Sequence, residues 1–136
     1  MSKEDTLTVV SQPSVGPLGY WTGCYRKYAT FSGRARRAEY WWYTLFNLIV
    51  YAVLAAIGLT ISSSGENSAV LGVLVGIYVL VVLLPTLAVT SRRLHDAGLS
   101  GWWQLLGLIP LGSLAVFVMT LLPGKPGTNQ YGPDPR

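Results

Sequence analysis

The chain has 136 residues, of which 51% are hydrophobic and only 12% are charged, with ten Lys and Arg against six Asp and Glu. Soluble domains carry about 25% charged residues, so this composition excludes an ordinary soluble domain. The net charge of +4 does not indicate nucleic-acid binding, because every basic cluster flanks a long uncharged run. Those runs are Tyr40–Ile61, Ala69–Thr90 and Trp102–Leu122.

Residues 1–19 are predicted to form a flexible tail, because SQPSVGPLG is rich in Ser, Pro and Gly and has no apolar periodicity. Residues 20–136 are predicted to form one membrane domain. It begins with an aromatic and basic segment in which Trp21, Tyr25 and Tyr28 share a helical face. That pattern is typical of an amphipathic helix at the bilayer surface, although a short docked turn also places these rings together.

The three uncharged runs predict transmembrane helices at about residues 40–61, 69–90 and 102–122. Each run holds 21 or 22 residues, and an α-helix of that length spans about 30 Å, the thickness of the hydrocarbon core. The first run follows too long a polar region to be a cleaved signal peptide. We therefore expect an all-α integral membrane protein, a small three-helix transmembrane bundle with an interfacial N-terminal segment.

Three arginines, Arg34, Arg36 and Arg37, stand at the start of the first span in the segment SGRARRAEYWWY. The helix dipole disfavours cations in a first turn, so another interaction must favour them there. Anionic lipid headgroups, an acidic partner or the preference for positive charge on the cytoplasmic side would do so. Glu39 lies three residues after Arg36, so these two can form a local ion pair.

The later runs contain helix breakers. Pro85 is expected to kink the second helix, Gly98 to end it and Ser100 to cap the third. Pro110–Gly112 interrupts the third run near its middle. This interruption is either a kink in a complete span or a turn between two half-helices that brings the chain back to the side it left.

The distribution of Lys and Arg predicts that the N-terminus is cytoplasmic. Six precede the first span and two lie between the second and third spans, whereas the first loop has none and the C-terminal tail has two. With three complete spans, the cytoplasmic side holds eight of these residues and the other side two, which fits the positive-inside rule.

Three motifs resemble a known family: FSGRARRAEYWWYTLFN, then LPTLAVTSRRLHDAGLSGWWQLLGLIPLGS, then PGKPGTNQYGPDP. Together they cover Tyr20 to Pro135 and are similar to the bacterial membrane-protein family called domain of unknown function 805. The resemblance implies a small bacterial inner-membrane protein. It implies no activity, because the family is named for lacking one.

The stretch RRLHDAGLSGWW contains the only histidine of the chain, His95. If the second helix continues to Asp96, Arg92 can pair with Asp96 at i, i+4, and Arg93 points toward lipid phosphate or a neighbouring helix. His95 suits proton transfer and the arginines suit phosphate binding. The third interpretation is a polar elbow in which these charges only orient two membrane helices.

The tail motif NQYGPDP, which begins at Asn129, is stiffer than a free tail requires. We infer that it docks on the protein's own surface, with Asp134 as the counter-charge for Arg92 and Arg93 or for the first arginine cluster. This docking requires the third run to turn back, whereas three complete spans prevent it. Of these two arrangements, the complete span is the expectation.

Little in the sequence indicates catalysis or transport. One His and one Cys, Cys24, leave no set of metal ligands, and we expect neither a metal nor a cofactor. The chain has no nucleophile motif or Gly-rich phosphate loop. The predicted spans hold no ionisable Asp, Glu, Lys, Arg or His that would mark an ion path.

The sequence therefore favours a non-enzymatic inner-membrane protein whose basic cytoplasmic face binds anionic membrane lipid or a partner protein. One alternative is an oligomeric channel or transporter component, with the GxxxG spacing of Gly72 and Gly76 as a contact between copies. A second is a membrane enzyme that acts on lipid headgroups through His95. The residues assigned to lipid or partner binding are Arg34, Arg37, Glu39, Arg92, Arg93, His95, Asp96, Asn129 and Asp134.

Overall fold

The computed structural model describes residues 16–64 and 69–135, and every regular element in those ranges is a helix. The all-helical class is thereby confirmed. Residues 1–15, 65–68 and 136 lie outside the described ranges, and with them most of the expected flexible tail. In chain order the elements are α1 (Pro17–Arg26), α2 (Arg37–Ser63), α3 (Ala69–Asp96), a 3₁₀ helix (Gly101–Leu108) and α4 (Gly112–Leu121).

Helices α2 and α3 have 27 and 28 residues, and within the described ranges they are the two helices long and apolar enough to cross a membrane. Their apolar side chains point outward: Leu59 is 74% exposed and Leu80 is 69% exposed. So much apolar surface is unfavourable in water and needs a lipid or protein cover. Both helices extend beyond the predicted runs 40–61 and 69–90, because they continue into polar residues at one end of the molecule.

Helix α1 packs against the first half of α2. It begins at Pro17, three residues before the expected boundary of the tail. Trp21 and Tyr25 face inward, whereas Tyr28 follows the end of the helix and is exposed. The expected segment is thus a docked helix, and its position at a bilayer surface stays a prediction. The buried cluster beneath it consists of Cys24, Ala35, Tyr43 and Val89.

The start of α2, the end of α3 and residues 123–135 meet at one end of the molecule. The Ala35 N–H donates to the Arg92 carbonyl at 2.9 Å, and the Lys125 N–H donates to the Asp96 carbonyl at 2.8 Å. We call this the basic end, because it carries all the Lys and Arg of the described residues. They are Arg26, Lys27, Arg34, Arg36, Arg37, Arg92, Arg93 and Lys125.

Residues 101–122 differ from the single transmembrane helix expected at 102–122. The 3₁₀ helix ends at Leu108 and α4 begins at Gly112. Pro110 cannot donate to a helical carbonyl, and its ring disfavours helical geometry at the preceding residue. The two helices then fold against each other so closely that a Cβ at Gly112 would lie 1.8 Å from the Leu106 carbonyl oxygen. We call residues 101–122 the hairpin.

Both ends of the hairpin lie at the basic end. At its start, Gly101 packs on α3, where a Cβ would stand 1.9 Å from the Ser91 Oγ. At its end, the Arg93 guanidinium donates to the carbonyls of Thr120, at 3.1 Å from Nε, and Leu122. The chain therefore returns to the end from which the hairpin started.

The turn from α3 into the hairpin uses the residues that the sequence predicts. Gly98 adopts φ +79°, a left-handed conformation that glycine reaches without strain. Ser100 accepts a hydrogen bond from the Trp102 N–H and caps the 3₁₀ helix. Pro85 lies buried within α3, which continues through it to Asp96.

Candidate functional site

Three buried arginines and two carboxylates occupy the centre of the basic end. Their side chains come from the loop before α2, the first turn of α2 and the last turn of α3. All five residues are at most 8% exposed, so each buried charge must be paired to be tolerated. We call this group the arginine core; it consists of Arg34, Glu39, Arg92, Arg93 and Asp96.

Asp96 binds two of the arginines at once. Its Oδ1 lies 2.8 Å from Arg34 Nη2 and 3.0 Å from Arg34 Nε, which is a two-pronged contact. Its Oδ2 lies 2.9 Å from Arg93 Nη1. The carboxylate therefore joins the loop before α2 to α3 and, through Arg93, to the end of the hairpin.

Glu39 neutralises the third arginine. Its Oε1 lies 2.5 Å from Arg92 Nη1 and 3.9 Å from Lys27 Nζ. The expected i, i+4 pair of Arg92 with Asp96 is thus wrong, because each residue has a partner outside that spacing. Glu39 likewise pairs with these two cations in place of the expected local pair with Arg36.

The surroundings of Glu39 also hold the only cysteine of the chain. The Cys24 Sγ lies 3.9 Å from Glu39 Oε1 and is fully buried. Burial, and then the negative charge of Glu39, raise the pKa of Cys24 to about 12. The thiol is therefore protonated at neutral pH and acts as a small packing residue under α1.

The C-terminal tail docks on the arginine core through its backbone. Arg34 donates from Nη1 to the Gly127 carbonyl at 2.5 Å and from Nη2 to the Lys125 carbonyl. Arg93 donates to the last carbonyls of α4, a favourable place for a cation because the helix dipole is negative there. The two guanidinium groups thus hold the tail and the hairpin. Of the two alternatives for Arg93, lipid phosphate and a neighbouring helix, the structure shows the neighbouring helix, α4.

The docked tail forms a closed turn of its own. The Asn129 Oδ1 accepts from the Tyr131 N–H at 2.8 Å, and the Asp134 Oδ2 accepts from the Gly127 N–H at 2.9 Å. The carboxylate that bridges Arg34 and Arg93 is Asp96. The sequence suggested Asp134 as the counter-charge of either arginine cluster.

His95 lies between the tail and the loop before α2. Its Nδ1 is 2.9 Å from the Gly33 carbonyl oxygen, and its ring stacks on Tyr131 at a centroid distance of 4.0 Å and an interplanar angle of 5°. The Asn129 side-chain amide donates to the His95 carbonyl at 3.0 Å. The tail therefore holds the imidazole in place. The sequence did not predict this contact, because no local pattern indicates that Tyr131 stacks on His95.

Three arginines of the basic end lie outside the arginine core: Arg26 on α1, and Arg36 and Arg37 at the start of α2. Arg37 is exposed, and Arg36 is half-buried and donates to the Tyr20 hydroxyl at 3.2 Å. Arg36 and Arg37 line an open cleft of about 390 Å³, together with Asp96 of the arginine core and with Pro123 and Gly124 of the tail. We call this the Arg36–Arg37 cleft.

The remaining predictions concern a contact between copies and a metal site. Gly72 and Gly76 lie on an exposed face of α3, where an added Cβ would meet no atom of this chain within 4 Å. Their role in a homo-oligomer stays a prediction. Among residues 16–64 and 69–135, no three His, Cys, Asp or Glu side chains are grouped as metal ligands.

Comparison with known proteins places this arrangement in a family. The family model described as "Protein of unknown function (DUF805)" matches residues 28–133. The inner membrane protein YhaH of Escherichia coli (strain K12) is 44% identical over 115 residues, which cover 82% of this chain and 91% of that protein. The inner membrane protein YhaI of the same strain is 41% identical over 120 residues, which cover 88% and 97%.

A more distant relative is the uncharacterized protein YiiR of Escherichia coli (strain K12). It is 31% identical over 133 residues, and the match covers 77% of this chain and 85% of that protein. No solved structure matches the chain. The match over residues 28–133 includes the arginine core, the hairpin and most of the docked tail. The chain is a membrane protein and belongs to the DUF805 family.

Proposed function

We propose that this protein is a multi-pass inner-membrane protein whose basic end is cytoplasmic and binds the phosphate groups of anionic lipids. The two relatives with the highest identity given above are called inner membrane proteins, and α2 and α3 have the length and composition of spans. All eight described Lys and Arg lie at the basic end. The positive-inside rule assigns that end to the cytoplasm.

In this proposal only α2 and α3 cross the bilayer, and the hairpin enters and leaves on the cytoplasmic side. Both hairpin ends contact α3 at the basic end. A 3₁₀ helix of eight residues is about 16 Å long and an α-helix of ten is about 15 Å. Each arm therefore reaches about half of the roughly 30 Å hydrocarbon core.

The observation that carries the binding proposal is the Arg36–Arg37 cleft. Arg34, Arg92 and Arg93 are buried and bound to carboxylates or carbonyls, so they hold the fold together and do not face a lipid. Arg37 is exposed at the open cleft. A guanidinium offers paired donors that match phosphate geometry, and cytoplasmic leaflets supply anionic headgroups.

A partner protein at the same cleft is the alternative occupant. The other two hypotheses stay predictions. An oligomeric channel requires a symmetric assembly, for example through Gly72 and Gly76, and a headgroup enzyme requires turnover that is lost in His95→Ala.

The test compares Arg37→Gln with the matched control Arg26→Gln, which removes an exposed charge from α1 outside the cleft. Binding of phosphatidic acid to the purified full-length protein in detergent is measured by native mass spectrometry. A phosphate contact by a cation near the membrane surface contributes about 1 kcal/mol, so we expect Arg37→Gln to weaken binding roughly fivefold.

Arg26→Gln is expected to change that affinity less than twofold. Equal losses in both variants would show a general attraction to positive charge, with no specific cleft. Unchanged affinity in Arg37→Gln would overturn the lipid proposal and leave the partner protein.

A further inference from the structure

The docked tail also lines a second cavity, through Tyr131, and the proposed phosphate site does not use it. Its volume is about 490 Å³. It is built by the loop before α2, the last turn of α3, the start of the hairpin and the tail, so it exists only while the arginine core holds these segments together. Among its lining residues are Phe31, Ser91, His95, Trp102, Gln104 and Tyr131.

Two residues that line the cavity, Gln104 and His95, carry hydrogen-bond acceptors that the described residues do not saturate. Gln104 Oε1 is buried and has no hydrogen-bond partner within the described residues. Because the His95 Nδ1 faces the Gly33 carbonyl, the neutral ring carries its proton there and leaves Nε2 as an acceptor. A buried acceptor without a hydrogen-bond donor lowers the stability of the fold. A ligand with hydrogen-bond donors could therefore pair with Gln104 Oε1 and His95 Nε2.

Glycine at position 101 lets the start of the hairpin pack directly on α3 beside this cavity. A Cβ there would lie 3.2 Å from His95 Nε2 and 1.9 Å from Ser91 Oγ. Any larger residue would clash with Ser91 and change the shape of the cavity.

The charges around the cavity favour an uncharged group inside it. No Lys, Arg, Asp or Glu is among the lining residues, so a charge held inside the cavity would have no direct partner there. The basic end carries eight Lys and Arg against three described acids, Glu39, Asp96 and Asp134, which disfavours an ammonium group. Hydroxyl groups supply donors without a charge.

An apolar groove continues from the cavity along the 3₁₀ helix. It has a volume of about 580 Å³, shares Ser100 and Trp102 with the cavity and is lined further by Leu105 and Ile109. Trp102 is 78% exposed between the two. Aromatic residues commonly mark the boundary between headgroups and acyl chains. The cavity and the groove together match a molecule with a polar head and an apolar chain.

We propose that the cavity binds the hydroxyl-bearing headgroup of a lipid, such as the terminal glycerol of phosphatidylglycerol, with its chain in the adjoining groove. Gln104 and His95 accept hydrogen bonds from the hydroxyls, and Trp102 and Tyr131 cover the carbon skeleton. This site is separate from the Arg36–Arg37 cleft, which would take phosphate whatever the headgroup attached to it.

The experiment compares three probes with the purified full-length protein in detergent. Phosphatidylglycerol and phosphatidic acid with identical acyl chains share the phosphate, but only the first has headgroup hydroxyls. Free glycerol has hydroxyls without a chain. Affinities for the two lipids are measured by native mass spectrometry, and glycerol is added as a competitor.

The informative variant is Gln104→Leu, with Gln130→Leu on the exposed tail as the matched control. Loss of one well-placed hydrogen bond changes affinity roughly tenfold, so we expect the wild type and Gln130→Leu to prefer phosphatidylglycerol by about that factor. Gln104→Leu should lose the preference without losing thermal stability, because Oε1 has no partner among the described residues.

Equal affinity of the wild type for both lipids, or an unchanged preference in Gln104→Leu, would overturn the proposal. Loss of the preference when millimolar glycerol is added would identify a soluble polyol as the ligand and overturn its assignment to a lipid. If instead Arg37→Gln weakens both lipids equally, the phosphate proposal is supported and the headgroup preference is unaffected. The ratio of the two affinities therefore tests this site independently of the cleft.

Discussion

Asp96 makes the contacts on which the basic end depends, because its two carboxylate oxygens bind different arginines. Arg34 also donates a hydrogen bond to a backbone carbonyl of the tail, and Arg93 donates one to a backbone carbonyl at the end of α4. Each guanidinium is almost fully buried, with side-chain exposures of 1% and 0%. Loss of their shared carboxylate would leave two buried cations without their counter-charge.

We therefore expect Asp96→Asn to destabilise the folded protein by about 3–5 kcal/mol, the usual cost of removing one partner from a buried ion pair. Thermal unfolding of the purified protein in detergent measures the change. Asp134→Asn is the control, since it removes the same charge from the half-buried tail and keeps an amide oxygen that can accept from the Gly127 N–H, so we expect a smaller loss of about 1 kcal/mol. Similar losses in the two variants would contradict the assigned role of Asp96.

At this scale the sequence singled out residues that meet in the arginine core, but it did not predict how they pair; their role in lipid or partner binding stays a prediction. The arginines before and in α2 stand out because the helix dipole disfavours them, and RRLHD stands out between apolar runs. Local spacing suggested Arg92 with Asp96, yet Glu39 lies 53 positions away in the chain and is the actual partner of Arg92. Pairing across helices depends on tertiary packing, which i, i+4 spacing does not contain.

At the scale of elements, the hairpin depends on close contact between the 3₁₀ helix and α4. Gly112 permits that contact because its missing side chain leaves room for the Leu106 carbonyl. A backbone oxygen cannot move aside as a flexible side chain does. The hairpin should therefore open or shift when any side chain is added at this position.

We expect Gly112→Ala to lower stability by about 1–3 kcal/mol, the range for overpacked positions. Gly107→Ala is the matched control in the same hairpin, because a Cβ there meets nothing within 4 Å. The control should be neutral or slightly stabilising, since alanine is the better helix former. Thermal unfolding in detergent distinguishes the two, and a neutral Gly112→Ala would argue against the close packing of the hairpin.

The hairpin is also the element that apolar length alone could not predict. A run of 21 uncharged residues has the same composition whether it crosses the bilayer once or enters and returns. The decisive features are local: Pro110 ends one helix, and Gly112 lets the next fold back. The long apolar helices α2 and α3 were predictable because no such break divides them, and Pro85 lies within a continuous α3.

At the scale of the whole molecule, the hairpin and the docked tail bring every described cation to one end. Three complete spans would have put Lys125 on the opposite side from Arg34, whose guanidinium binds the Lys125 carbonyl. The Arg36–Arg37 cleft and the second cavity, which His95 and Tyr131 line, both include tail residues. Both proposed lipid sites thus depend on the tail lying on the same side as the start of α2.

Cysteine labelling in intact cells tests this arrangement most directly. In a Cys24→Ala background, single cysteines replace the exposed residues Thr30 at the basic end, Ser64 after α2 and Gln130 in the tail. A membrane-impermeant maleimide is added before and after the inner membrane is permeabilised. We predict that Ser64→Cys reacts in intact cells, whereas Thr30→Cys and Gln130→Cys react only after permeabilisation; reaction of Gln130→Cys but not Thr30→Cys in intact cells would contradict the hairpin.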